Sequence, residues 1–211
     1  MSLIKYNDRS LRNLSTVPAA VTGNSPGALV HIKTLTASSS GTLSFVDGTD
    51  GVVLDSTYPI YKFEFINMHP ATNGVEFSFN VSIDSGSNYN VAKTTTAFEA
   101  YQNEAGNNSA LTYQAGDDLA QGTGFQELSD GIGNGNDECN AGTLTLFNPS
   151  STTFVKHFIS TTNMYNGGDF SVNDFIAGYA NTTSAVDAVR FQMSSGNIDS
   201  GVIKLYGIKD A

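Results

Sequence analysis

Apolar and polar side chains alternate through most of the chain after Gly27, and alternation is the mark of strands, whose successive side chains point to opposite faces. The clearest run is Val75, Phe77, Phe79, Val81 and Ile83, interleaved with Glu76, Ser78, Asn80 and Ser82. It predicts a half-buried antiparallel strand with all five apolar residues on one inner face. Upstream, Tyr61, Phe63 and Phe65 alternate with Lys62 and Glu64 between Pro59 and Pro70. The stretch His69-Pro70-Ala71-Thr72-Asn73-Gly74 reads as the turn that joins the two runs into a hairpin with an aromatic inner face. Further strands are expected over residues 28–36, 42–46, 143–147, 152–160, 174–180, 188–193 and 201–208. Residues 90–102 carry two signals: Ala97, Phe98, Ala100 and Tyr101 could share a helix face, whereas Thr94, Thr95 and Thr96 favour strand. Strand is the reading adopted.

Gly, Asn, Ser and Asp clusters separate these runs at the spacing of a sandwich or barrel. All five prolines fall at or outside run ends, where a missing amide donor breaks no ladder. The expectation is an all-β, antiparallel β-sandwich. Composition agrees, because Ser, Thr, Asn and Gly make up 85 of the 211 residues, the stock of turns and solvated strand faces. The single Cys139 can form neither an intrachain disulfide nor a structural zinc site, so the fold must rest on apolar burial. No apolar run approaches the roughly 18 residues of a membrane span. The first 30 residues lack the charged-then-apolar order of a signal peptide. A soluble protein that is neither membrane-inserted nor exported by that route is expected.

The formal net charge of -10 argues against a nucleic-acid partner, whose phosphates call for Lys and Arg. The charge is unevenly spread. Residues 1–12 hold Lys5, Arg9 and Arg12 against Asp8, a net of +2, which leaves -12 for the remainder. Leu3, Ile4, Tyr6 and Leu11 add apolar surface that a purely solvated tail has no reason to carry. Residues 1–25 are therefore expected to be an attachment arm, with Leu3, Ile4, Lys5, Tyr6, Arg9, Leu11 and Arg12 as its contact residues, and 26–211 the body. Apolar residues facing away from the core, such as Ile60 and Ile66, are candidates for subunit contacts.

Groups able to do chemistry are sparse. His31, His69 and His157 are far apart in sequence, and no Gly-x-Ser-x-Gly elbow anchors a triad. His31 and His157 fall in expected strands and His69 in a turn. Cys139 has acidic neighbours, which disfavour a thiolate. The segment 129–140 offers oxygen ligands from Asp130, Asn134, Asn136, Asp137 and Glu138 on a glycine-rich backbone, the donor set Ca²⁺ prefers, although the spacing is not that of an EF-hand. It reads first as a polar connecting loop, with a calcium site as the alternative; no other cofactor is expected. Tyr89, Tyr113 and Tyr165 are loop tyrosines that could stack on a glycan. A pair of catalytic carboxylates, as in glycoside hydrolysis, leaves no linear signature that sequence could supply or exclude.

Several stretches resemble virion structural proteins of marine tailed bacteriophages: residues 58–72 with 84–89, then 147–157, 178–183 and 194–208, and the opening Ile4-Lys5-Tyr6-Asn7-Asp8-Arg9-Ser10-Leu11. The resemblance spans nearly the whole body, and its motifs are structural rather than catalytic. It implies a jelly-roll sandwich, usually a homotrimer, serving as a tail-fibre or capsid-attached fibre protein of the virion without enzymatic activity. The expected partners are copies of the chain itself, other virion proteins and a host-surface glycan. A head-fibre or capsid-decoration protein, or a free lectin-like module, are the alternatives.

Overall fold

The computed structural model describes residues 28–209. The attachment arm expected over residues 1–25 lies outside them. Thirteen strands follow in order: β1 (Leu29–Ser40), β2 (Leu43–Val46), β3 (Ile60–Pro70), β4 (Val75–Ser82), β5 (Lys93–Asn103), β6 (Ser109–Tyr113), β7 (Ala120–Gly122), β8 (Gln126–Ile132), β9 (Asn140–Phe147), β10 (Lys156–Asn166), β11 (Phe170–Ala180), β12 (Ala188–Met193) and β13 (Ile198–Ile208). Every pairing among them is antiparallel. The described chain is all-β, as its alternation predicts.

The strands form two layers. One runs β1-β13-β3-β9-β10-β11-β5, with β6 and β7 both paired to β5, and the other runs β8-β4-β12-β2. A single bridge, Asn166 to Ile132, joins the layers along one side and makes the sheet continuous and nearly barrel-shaped. Between the layers lies an aromatic core. Phe191 on β12 packs against Phe63 at 5.2 Å, Phe65 at 5.2 Å and Phe77 at 5.8 Å, while Phe45 on β2 meets Phe63 at 5.3 Å. These rings come from both layers and most meet edge to face, the geometry their quadrupoles favour. Burying each contributes about 1.5–3 kcal/mol, so this cluster supplies the burial that a chain with one cysteine must find.

The hairpin of β3 and β4 forms with Tyr61, Phe63, Phe65, Phe77 and Phe79 inward. Ile60 and Ile66 face away from them, half-buried and exposed respectively. Two details differ from expectation. Ile83 is 42% exposed, because β4 ends one residue earlier, where the Ser82 hydroxyl accepts the amides of Asp84 and Gly86 and turns the chain. The opposite face of β4 is buried as well, since Ser78, Asn80 and Ser82 lie under neighbouring loops. Asn80 donates to the carbonyls of Tyr89, Thr123 and Gly124 and accepts from Lys93 Nζ at 2.7 Å, so the covered polar face is internally bonded.

Strand boundaries move elsewhere for local reasons. The run expected from residue 152 begins at Lys156, because Ser151 Oγ accepts the amides of Thr153 and Phe154 and holds a turn. His69 lies inside β3, not in the turn. Residues 90–102 contribute the strand β5. Strands β6, β7 and β8 fall where no strand is expected.

Candidate interaction face and acidic cleft

At the far side of the larger layer the usual arrangement inverts, with aromatic side chains outside and carboxyl groups inside. The register explains how. Phe98 on β5 is directly opposite Phe175 on β11, and the adjoining pair is Glu99 opposite Asp174. Because neighbours on a strand point to opposite faces, Phe98 and Phe175 project to solvent while Glu99 and Asp174 project inward.

The outer face is a continuous apolar patch. The rings of Phe98 and Phe175 stack at 4.9 Å with planes 8° apart. Tyr113 on β6 sits directly across from Phe98, and Leu111 across from Ala100. Phe98 is 41%, Ile159 53% and Leu111 70% exposed. Beside them a shallow hollow of about 480 Å³ is lined by Thr96, Phe147, His157, Ile159, Ala177 and Tyr179. Along β5, β10 and β11 the outward positions between Thr94 and Ala100, His157 and Asn163, and Asn173 and Tyr179 include no Asp, Glu, Lys or Arg. An uncharged aromatic patch of this kind has the composition of an interface centre.

The inner side of the same strands mixes core residues such as Ala97, Phe158, Val172 and Ile176 with an unusual number of polar ones. Thr95, Gln126, Ser129, Asn140, Ser160, Thr162 and Asp174 are buried there. Thr95 Oγ1 donates to Gln126 Oε1 at 2.7 Å, and Gln126 Nε2 donates to the Asp117 carbonyl at 2.8 Å, which pins the β6–β7 connection over β8. Asp117, Glu127, Asp130, Glu99, Glu76 and Asp174 thereby share one region. Burial, then the charges of Glu99, Asp117 and Asp130, push the Asp174 carboxyl up to about 8. Burial and the charge of Asp117 push Glu127 to about 7, and burial and Asp130 push Asp117 to about 6. Asp130 is raised for the same reasons, burial first and Glu76 second. Gln114 donates to Glu99 Oε1 at 2.5 Å. Asp174 is 3% exposed and its Oδ2 has no hydrogen-bond partner.

The segment 129–140 does not form one loop. Residues through Ile132 belong to β8 and Asn140 opens β9, which separates the five oxygen-bearing residues. Asp130 sits beside Glu99 in the cleft. Asn134 is tied to the β3–β4 turn through Asn73 Oδ1 and the Ala71 carbonyl. Glu138 accepts the Gly135 amide. Asn136, Asp137 and Glu138 line a hollow of about 470 Å³ with His69 and Asp199. Among the described residues no three His, Cys, Asp or Glu side chains are placed to hold a metal ion.

Of the three tyrosines expected to be free for a glycan, Tyr89 is buried, with the Arg190 guanidinium 3.9 Å above its ring. Tyr113 and Tyr165 lie in β6 and β10 rather than in loops, and their hydroxyls donate to Asp118 and Asp169. Tyr165 lines a polar groove of about 680 Å³ with Gln102, Asn103, Glu104, Asn163 and Ser171. Burial, rather than its acidic neighbours, pushes the Cys139 thiol up. Sequence reasoning missed Phe98, Phe175 and Ile159 as surface residues and Glu99, Asp117, Glu127 and Asp174 as a cluster. The available signal was the run Ala177-Gly178-Tyr179-Ala180 and its neighbours, where both faces of one strand carry apolar groups. Compared with protein-family models, curated proteins and solved structures, the chain finds no match in any of the three.

Proposed function

We propose that the chain is a non-enzymatic virion structural protein of a tailed bacteriophage, a jelly roll that self-associates as a trimer through the outer face of β5, β6, β10 and β11. The observation that carries the reading is the uncharged aromatic patch on an otherwise acidic body. Copies that each carry a large negative charge repel over most of their surface, and they approach at least cost where charge is absent.

The jelly-roll reading is supported by the pairing order. If β1, β2, β3 and β4 run out along one arm of a ribbon and β8, β9, β12 and β13 return along the other, the arms pair β1 with β13, β2 with β12, β3 with β9 and β4 with β8. Rolling that ribbon brings β13 beside β3 and β12 beside β4. The virion role is supported by the sequence resemblance and by the +2 charge of residues 1–12, which suits attachment of an arm to the particle or to its other proteins. Host-glycan contact is supported by the polar groove around Tyr165.

Sedimentation of the full chain at micromolar concentration tests the association, with a trimer expected and a monomer refuting it. Ile159→Asp places a charge in the patch and should yield a folded monomer. An Ile159→Asp protein that remains trimeric removes this face from the interface. Deleting residues 1–25 should abolish incorporation into particles, and unaffected incorporation would refute the attachment arm.

A further inference from the structure

We propose that after folding the Lys93 side chain forms an amide bond with Asn80, releasing ammonia and tying β5 of one layer to β4 of the other. Both side chains are fully buried. Lys93 Nζ donates to Asn80 Oδ1 at 2.7 Å, and because a carbonyl bond is about 1.2 Å long, Nζ lies within about 4 Å of the amide carbon Cγ. That approaches the roughly 3–3.5 Å of a pair poised to react.

The surroundings suit the amine, the leaving nitrogen and the oxygen in turn. A lysine ammonium carries three N–H groups and the neutral amine two, and Nζ has two acceptors, Asn80 Oδ1 and the Val91 carbonyl at 2.9 Å. No carboxylate pairs with it, since the ion pairs among the described residues are Lys62 with Glu64 and His69 with Asp199. Burial brings the amine down to about 7, so near neutral pH much of the population carries the lone pair that a nucleophile needs. Asn80 Nδ2 faces three carbonyls, those of Tyr89 at 2.7 Å, Thr123 at 3.0 Å and Gly124 at 3.1 Å. A side-chain amide has two N–H groups and leaves one of these acceptors over, whereas departing ammonia has three and fills them all. The Val81 amide donates to Oδ1 at 2.8 Å, in place to hold the negative charge that gathers there as Cγ becomes tetrahedral.

The step balances within the pair. Neutral Nζ adds to Cγ, and the carbonyl π electrons move to Oδ1. A proton passes from Nζ to Nδ2, the carbonyl re-forms, and the Cγ–Nδ2 bond breaks with its electrons on nitrogen, so that ammonia leaves and nothing is oxidised or reduced. Until then Lys93 titrates as a free amine. Buried Lys156 is the internal contrast, because its Nζ donates to the main-chain carbonyls of Phe154 and Thr182 and meets no side-chain amide.

Mass spectrometry of the full chain, followed over several days in neutral buffer, tests the bond, and the intact mass should fall by one ammonia. Chymotrypsin cuts the denatured chain after Tyr89, between the two residues, and should release a branched peptide joining the segments that hold Asn80 and Lys93. Lys93→Met removes the nucleophile and should keep its full mass; if that variant does not fold, the branched peptide of the unaltered chain decides alone. A mass that stays at the calculated value overturns the proposal. So does an ammonia loss located at Asn73-Gly74, Asn134-Gly135 or Asn166-Gly167, where a main-chain succinimide gives the same mass, a branch at Lys156, or a loss that persists unchanged in folded Lys93→Met.

Discussion

The two ends of the space between the layers solve burial in opposite ways. Around Phe191 the interior is aromatic, with Phe45, Phe63, Phe65 and Phe77 closing on it from both layers. Around Asp174 the interior mixes hydroxyl, amide and carboxyl groups with apolar residues such as Val172 and Ile176, and the stacked rings of Phe98 and Phe175 lie outside. The first end gains from every residue it buries. The second leaves a carboxyl oxygen unpaired and exposes rings to water, two costs that a domain built only for stability would avoid. The contrast is the reason for placing the proposed self-association face on this side of the molecule, where a covering surface would remove the exposure of the rings.

Variants can sharpen or break the contrast. The largest effect belongs to Phe191→Ala, which empties the centre of the aromatic cluster and should cost about 3–5 kcal/mol in urea unfolding. A loss below about 1 kcal/mol would mean that this end is not where stability resides. Gly178→Ala comes next. A Cβ there would lie 2.5 Å from the Thr94 carbonyl oxygen and 2.9 Å from Thr95 Cα, backbone that cannot rotate away. It should push β5 from β11 at a cost of about 1–3 kcal/mol.

The third test uses pH. The Asp174 carboxyl titrates near 3.8 when unfolded and is pushed to about 8 in the fold. The folded state therefore holds a proton that the unfolded chain has released. Its contribution is fully present below about pH 4 and is lost as pH rises through about 8. Buried Lys93 acts in the reverse sense, because desolvation lowers it to about 7 from 10.5, so its penalty is relieved as pH climbs between those values. Urea midpoints measured across this range should pass through a shallow minimum between about pH 7 and 8. Asp174→Asn should gain progressively on the unaltered protein as pH rises from about 4 to 8; a constant difference would show that Asp174 does not titrate with folding. The smallest effect on stability is that of Phe98→Ser, within about 1 kcal/mol, together with weakened self-association in sedimentation. A stability loss well beyond that would make the Phe98–Phe175 stack part of the core.

Alternation was a sound guide wherever one face of a strand meets the apolar interior. Tyr61, Phe63, Phe65, Phe77 and Phe79 show it plainly, and their burial follows their parity. It failed for two physical reasons. Asn80 and Lys93 are polar and buried because loops cover the second face of β4, a tertiary event with no local signal. On β5 and β11 both faces carry apolar residues, Ala97, Val172 and Ile176 inside and Phe98 and Phe175 outside, so the pattern marks a strand without telling its sides apart. Strands β7 and β8 hold Gly, Gln and Asp where apolar residues would announce them, and β6 has only five residues, too few for its alternation to stand out. The acidic cleft joins residues from five segments, and only the register of β5 with β11 brings Glu99 opposite Asp174.

The single bridge between the layers sits among two detours of the chain. One leaves β4 and returns at β8, whose Gln126 is paired with Phe79 of β4; the other leaves β9 and returns at β12, its ends tied by the Val186 amide to the Pro149 carbonyl at 2.9 Å. Each detour thus starts and finishes at nearly the same place, anchored to the remaining eight strands by contacts such as Phe158 on Phe79. The outer aromatic face is made almost wholly of these detours, and so is half of the cleft. The two excursions can therefore be rewritten in sequence without disturbing the closure of the eight-strand frame around Phe191.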